Sequence, residues 1–376
     1  MLATFSTEDR AMLRDAVSRF VRERYSFPAR RVTLASAQGY SRPAWLEMAG
    51  LGLQGLLLSE QDGGSDGGDE EIAIVMEEIG RGLLLEPYLS TAVISAGLIS
   101  SLNSPALRER LLPGLVSGEV IFALAHTEAA MGFARAPVVT RVETHGNRMQ
   151  LTGAKSFVLD APSADIVLVS AAESGGLSLF AVPRDAPNLR MKPWRTADGR
   201  MAAELLLEGV PVQEADRLGA PGGAADVLDI ALDRATLAVG AEALGAMQTL
   251  LEQTTDYLRT RRQFGQTLSH FQVLQHRLVD MYIAIEEVRA LLVASRRSMS
   301  AARDERHAGV SAAKYKVGQA ALFIGQQAIQ LHGAIGMTDE LPVSHYFKRL
   351  MMIDAMFGNA AHHLARFCSV TQTKRT

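Results

Sequence analysis

The chain has 376 residues, 48% hydrophobic and 21% charged, enough to bury a large core spread over two or three structural units. A formal net charge of −3, without a basic tail or long single-sign run, argues against nucleic acid as a partner, and no apolar run reaches the length of a membrane span. The only cysteine, Cys368, excludes an intrachain disulfide and points to a reducing, cytoplasmic compartment, and MLATFSTEDR lacks the basic-then-apolar order of a secretion signal.

Residues 6–24 predict a helix opened by Ser6 or Thr7, with Met12, Leu13, Val17, Phe20 and Val21 on one face. Ser41 and Pro43 open a second helix through Trp45, Leu46 and Met48. LSEQDGGSDGGDEE, residues 58–71, is a Gly/Asp loop. Its carboxylates Asp62, Asp66 and Asp69 do not follow the spacing of a twelve-residue calcium loop, so a solvated turn and no metal is expected. Residues 69–85, 90–102 and 104–117 complete an N-terminal unit of about five helices.

From Val120 the pattern turns to short alternating runs separated by turn residues, with His145-Gly146-Asn147 as a hairpin turn. About six to eight strands end near Val212. Four long helices follow, over 226–259, 271–303, 311–332 and 344–370, and their short connections imply an antiparallel bundle. The fold expected is α+β, mainly α: an N-terminal helical domain (1–118), a middle β-barrel-like or sandwich domain (119–220) and a C-terminal four-helix bundle (221–376).

One stretch carries chemistry. YLRTRRQFGQTLSHFQ, residues 257–272, reads as a helix end, a turn at Gly265 and a new helix. Tyr257, Arg261 and Phe264 then fall at i, i+4 and i+7 on one face. Such a face suits a flat, anionic ligand, with the guanidinium on a phosphate and an aromatic against a ring; an interhelical corner with solvated arginines is the plain alternative. The segment resembles the arginine–phenylalanine–glycine signature of the acyl-CoA dehydrogenase family. QLHGAIGMTDELPVSHYFKR, residues 330–349, resembles that family's Gln-x-x-Gly stretch and the Pro-Val corner after it, and loop 58–71 resembles its proline–glutamate–glycine–glycine corner with Ser59 in place of proline.

The resemblance implies FAD, an acyl-CoA thioester oxidised between Cα and Cβ, and electron-transferring flavoprotein as acceptor. It places Arg261 on the pyrophosphate and Phe264 against the adenosine side. Gln330, Gly333 and Ala334, with Gln272 as a further candidate, would hold the tail of a flavin in a neighbouring subunit. On the flavin-ring side it implies Thr127 and Phe157, but here the pattern departs. HTEAAMGFARA keeps Thr127 and Glu128 and loses the glycine–serine–aspartate end, and Phe157-Val158-Leu159 puts an apolar residue where a hydroxyl belongs.

The general base departs further. Counted from Gln330, the family's glutamate position falls on Phe357, which cannot accept a proton. The position that some members use instead falls near Ala235, leaving Asp233 and Glu242 as weak candidates beside a plain reading as solvated helix carboxylates. His362 and His363 read as exposed helix histidines. The chain resembles the small partner subunits of heteromeric bacterial members such as pimeloyl-CoA dehydrogenase, which implies a homo- or hetero-oligomer with another chain of this kind. A structural subunit, or an oxidase or monooxygenase on the same fold, are the alternatives.

Overall fold

The computed structural model describes residues 5–102, 104–136, 138–146 and 148–372. Two compact units emerge: residues 1–9, 31–72 and 85–235 form one, and 10–30, 73–84 and 236–376 the other. The helical N-terminal segment is therefore shared out between the two.

The first unit is built on a sheet. Strands β1 (Phe122–Ala125), β2 (Arg141–His145), β3 (Arg148–Leu159), β4 (Ile166–Glu173), β5 (Gly176–Pro183), β6 (Leu189–Arg195), β7 (Met201–Val212) and β8 (Arg217–Leu218) run in the order β6-β7-β3-β2-β4-β5-β8, with β1 beside β4. Neighbours are antiparallel except where β4 meets β1 and β2. Alternation in β7 buries Leu205 and Leu207 and turns Glu204 and Glu208 outward, whereas Val167, Leu168 and Val169 of β4 are buried in succession. β2 and β3 form the expected hairpin; its Asn147 lies outside the described residues.

Helices of this unit include Arg42–Gly50, opened as expected by Ser41, whose side chain accepts from the Ala44 amide, and Pro105–Val116. The expected helix over 90–102 is present and fully buried in its first part, which winds as a π-helix, Leu89–Ser95, before running into the α-helix Ala96–Ser101. Thr91 fastens it to β1 by hydrogen bonds of 3.0 Å to both backbone groups of Phe122. In the Gly/Asp loop, Asp62 accepts from Ser59 and pairs with Arg108, Asp66 accepts from the Glu60 amide, and Asp69 pairs with Arg234 at 2.6 Å. These carboxylates are protein-bonded rather than merely solvated.

The second unit is helical. It holds most of α1 (Thr7–Arg24), the end of α4 (Asp69–Gly82), and α7 (Ala225–Thr260) from Thr236 onward. Helices α8 (Gln272–Arg297), α9 (Arg303–His332), α10 (Pro342–Ala355) and α11 (Ala360–Gln372) complete it, with α9 packed against α8, α10 and α11. Strands β9 (Arg262–Gln263) and β10 (Gln266–Thr267) form a small hairpin after α7. A Cβ on Gly245 would lie 1.9 Å from the Glu77 carbonyl oxygen, and one on Gly80 1.9 Å from that of Glu242, so α4 and α7 meet backbone to backbone. An additional short helix, Phe27–Ala35, was not foreseen.

Three expected boundaries change. The second long helix ends at Arg297, six residues early. The third long helix starts at Arg303, eight residues early, because Asp304 and Glu305 suit a helix N-terminus. The last one is two helices. Phe357 (φ 57°) and Gly358 (φ 110°) leave the helical region between α10 and α11.

Candidate functional site

In the second unit, α7 stops at Thr260, so Tyr257, Arg261 and Phe264 do not share a helical face. Arg262–Gln263 pairs with Gln266–Thr267, and Phe264 and Gly265 form the two-residue turn with φ of 54° and 80°. Positive φ at both turn positions matches the twist of a hairpin, and the second residue, glycine, adopts it without cost. Phe264 pays strain there and is 87% exposed, its ring meeting only the edge of Phe271 at 6.1 Å.

Tyr257 brings the second signature alongside. Its ring stacks on His332 with centroids 4.4 Å apart, and its hydroxyl donates to the His332 carbonyl at 3.3 Å. Gln330, Gly333 and Ala334 at the end of α9, and Gln272 at the start of α8, are all exposed. Gly333 has φ 68°, and a Cβ there would meet nothing within 4 Å, so backbone is open to a ligand at this point. Among the described residues no carboxylate pairs with Arg261. An unpaired guanidinium, an exposed aromatic and an open glycine make a polar face able to take a pyrophosphate and a flat ring.

In the first unit, Thr127 accepts from the Ser156 amide at 2.9 Å, and Phe157 is half-buried, tilted on Trp194 with centroids 5.7 Å apart. Between them lies a buried cluster with no forewarning in sequence. Glu128 accepts from the amides of Val139 (2.7 Å) and Thr140 (3.0 Å) and from Lys155 Nζ (2.8 Å), and Lys155 also reaches Ser170 Oγ, which meets His126 Nδ1 at 2.9 Å. Burial pushes the Glu128 carboxyl up, but bonds from Lys155 and Thr140 outweigh it and hold the group at about 2. Burial drives Lys155 down to about 8 against the pull of Glu128. Burial and the Lys155 charge hold His126 at about 4, neutral near pH 7. Lys155 shares its strand with Arg148, Gln150, Thr152 and Ser156, so its residue type alone did not mark it as buried.

The candidate bases are spoken for. Asp233 is fully buried, not solvated, and its carboxylate lies 2.8 Å from Arg135, which also holds Asp229 at 2.7 Å. In the second unit Glu242 is buried and forked by Arg349 through Nε at 2.6 Å and Nη2 at 2.7 Å. Phe357 sits at the α10–α11 corner. Lys314 Nζ donates to the carbonyls of Asp354 (2.8 Å) and Gly358 (2.7 Å), and His363 Nε2 meets the Phe357 carbonyl at 3.1 Å. His363 is fully buried and not an exposed helix histidine; burial and the Lys314 charge bring it down to about 3.

Three family models account for most of the sequence: the acyl-CoA dehydrogenase N-terminal domain over residues 7–119, the middle domain over 123–210 and the C-terminal domain over 223–367. Human mitochondrial short-chain specific acyl-CoA dehydrogenase is 30% identical over 84% of this chain and 78% of its own length. The chain belongs to the acyl-CoA dehydrogenase family. A solved variant of the Tcur3481–Tcur3483 steroid ACAD is 30% identical with a TM-score of 0.89, covering 98% of this chain and 99% of that one. The ChsE4–ChsE5 complex from Mycobacterium tuberculosis is 26% identical with the same TM-score, at 98% of each chain.

Dehydrogenases of this family use FAD. The tail face fits that group, because among the described residues Arg261 pairs with no carboxylate and Gly333 leaves its backbone open. The ring side fits poorly, since Leu159 offers no hydroxyl and Arg135, the basic residue of segment 129–136, is already held by Asp229 and Asp233.

Proposed function

We propose that this chain is a subunit of an FAD-dependent acyl-CoA dehydrogenase acting on the Cα–Cβ bond of an acyl-CoA thioester within an oligomer. Arg261, Phe264, Gln272, Gln330, Gly333 and Ala334 contribute to the cofactor tail, and the proton-abstracting carboxylate comes from a related neighbouring chain. FAD supplies hydride acceptance; electron-transferring flavoprotein is the proposed acceptor, and a reducing cytoplasm the setting. The observation that carries the reading is the state of the carboxylates. Counted from Gln330, the family's glutamate position falls on Phe357 by resemblance, while Asp233 is bound by Arg135 and Glu242 is forked by Arg349. A missing general base typically costs on the order of 10²–10⁴ in rate, so turnover by this chain alone is expected to be slight. The chain's likeness to the ChsE4–ChsE5 complex supports pairing with a second chain.

The test is the visible spectrum and flavin content of the chain purified alone and co-expressed with its neighbouring chain. Flavin absent alone, and near half occupancy per chain in the complex, is the expected result. Full occupancy together with thioester oxidation by the isolated chain would overturn the shared-site reading.

A further inference from the structure

Two charged side chains hold the segment that follows β1. Glu128 fastens its base through the Val139 and Thr140 amides. Arg135, near its far end, reaches α7, where Nη1 donates to the Asp229 carboxylate (2.7 Å) and carbonyl (3.0 Å) and Nη2 lies 2.8 Å from Asp233. Asp229 and Asp233 are one helical turn apart, so a single planar guanidinium spans both.

We propose that Arg135 is a latch that closes residues 129–136 onto the start of α7 with the chain's own charges, so that the segment is ordered before any cofactor or thioester arrives. A carboxylate removed from water holds a fixed cation far more firmly than a surface pair does, and Asp233 is 0% exposed. Lifting the segment would take that cation away from Asp233. Within the segment the Met131 amide donates to the Glu128 carbonyl and the Ala134 amide to that of Met131, which makes these two amides reporters of closure.

The inference concerns this chain alone and does not rest on the partner-subunit reading. Hydrogen exchange followed by mass spectrometry tests it on the purified full chain without added FAD. The 129–136 peptide is expected to be protected in the wild type. In Arg135→Gln it is expected to exchange about tenfold faster or more, with β4 and β5 peptides unchanged, and Arg135→Lys, which keeps charge but not the fork, should fall between. Wild-type exchange at the rate of an unstructured peptide, or an unchanged rate in Arg135→Gln, would overturn the latch. If Arg135→Gln does not fold, Asp229→Asn takes its place with the same expected local gain, and an unchanged rate there is equally fatal to the idea.

Discussion

Position 264 separates stability from function within one side chain. Phe264 occupies a left-handed turn position and faces solvent. Phe264→Gly is expected to raise stability by about 1 kcal/mol in denaturant unfolding while lowering flavin retention; loss of stability would refute the strain argument. Arg261→Ala is expected to strip flavin from the assembled protein, read as absorbance per chain after gel filtration. Glu128 adds a pH dependence. Its folded carboxyl lies near 2, below the ordinary 4.5, so its stabilisation is complete above about 4.5 and is lost as pH falls toward 2. Thermal unfolding should show that fall, and Glu128→Gln should flatten it. The signature residues were legible because their types and order are local facts. The partners of Asp233, Glu242 and Lys155 were not, since each lies far along the chain: Arg135 is 98 positions before Asp233, and Arg349 is 107 positions after Glu242.

Among the elements, long helices and strand alternation were read from periodicity, and their ends were not. The helix predicted through residue 259 does stop near there, but a hairpin replaces the expected helical face, because Gly265 supports a left-handed turn position as readily as a helix stop while Phe264 is held there under strain. The α10–α11 break was carried in sequence by Gly358-Asn359 alone, a stop followed by a cap: Asn359 Oδ1 accepts from the His362 amide at 2.9 Å at the start of α11. The α4–α7 crossing gives a sharper test. Gly245→Ala places a methyl 1.9 Å from the Glu77 carbonyl oxygen, a backbone atom that cannot rotate away. A loss of about 1–3 kcal/mol or more is expected in chemical denaturation, and a neutral result would mean that the helices can part.

At the scale of the whole molecule, α8 exposes Val273, Val279, Tyr282 and Ile283, more apolar surface than a solvated helix needs. Light scattering is expected to find an oligomer, and Ile283→Asp to shift it toward smaller species. A monomer at micromolar concentration in the wild type would remove the premise of shared cofactor contacts. Within the bundle, the bonds that fasten the α10–α11 corner end on the main-chain carbonyls of Asp354, Phe357 and Gly358 and on the side-chain oxygens of Asp354 and Asn359, none of which belongs to the side chain at 357. Exchange of the aromatic for an acid at 357 would leave those bonds in place, so on the paired-chain reading proposed above, proton-transfer chemistry could be gained or lost at this corner without a change of fold.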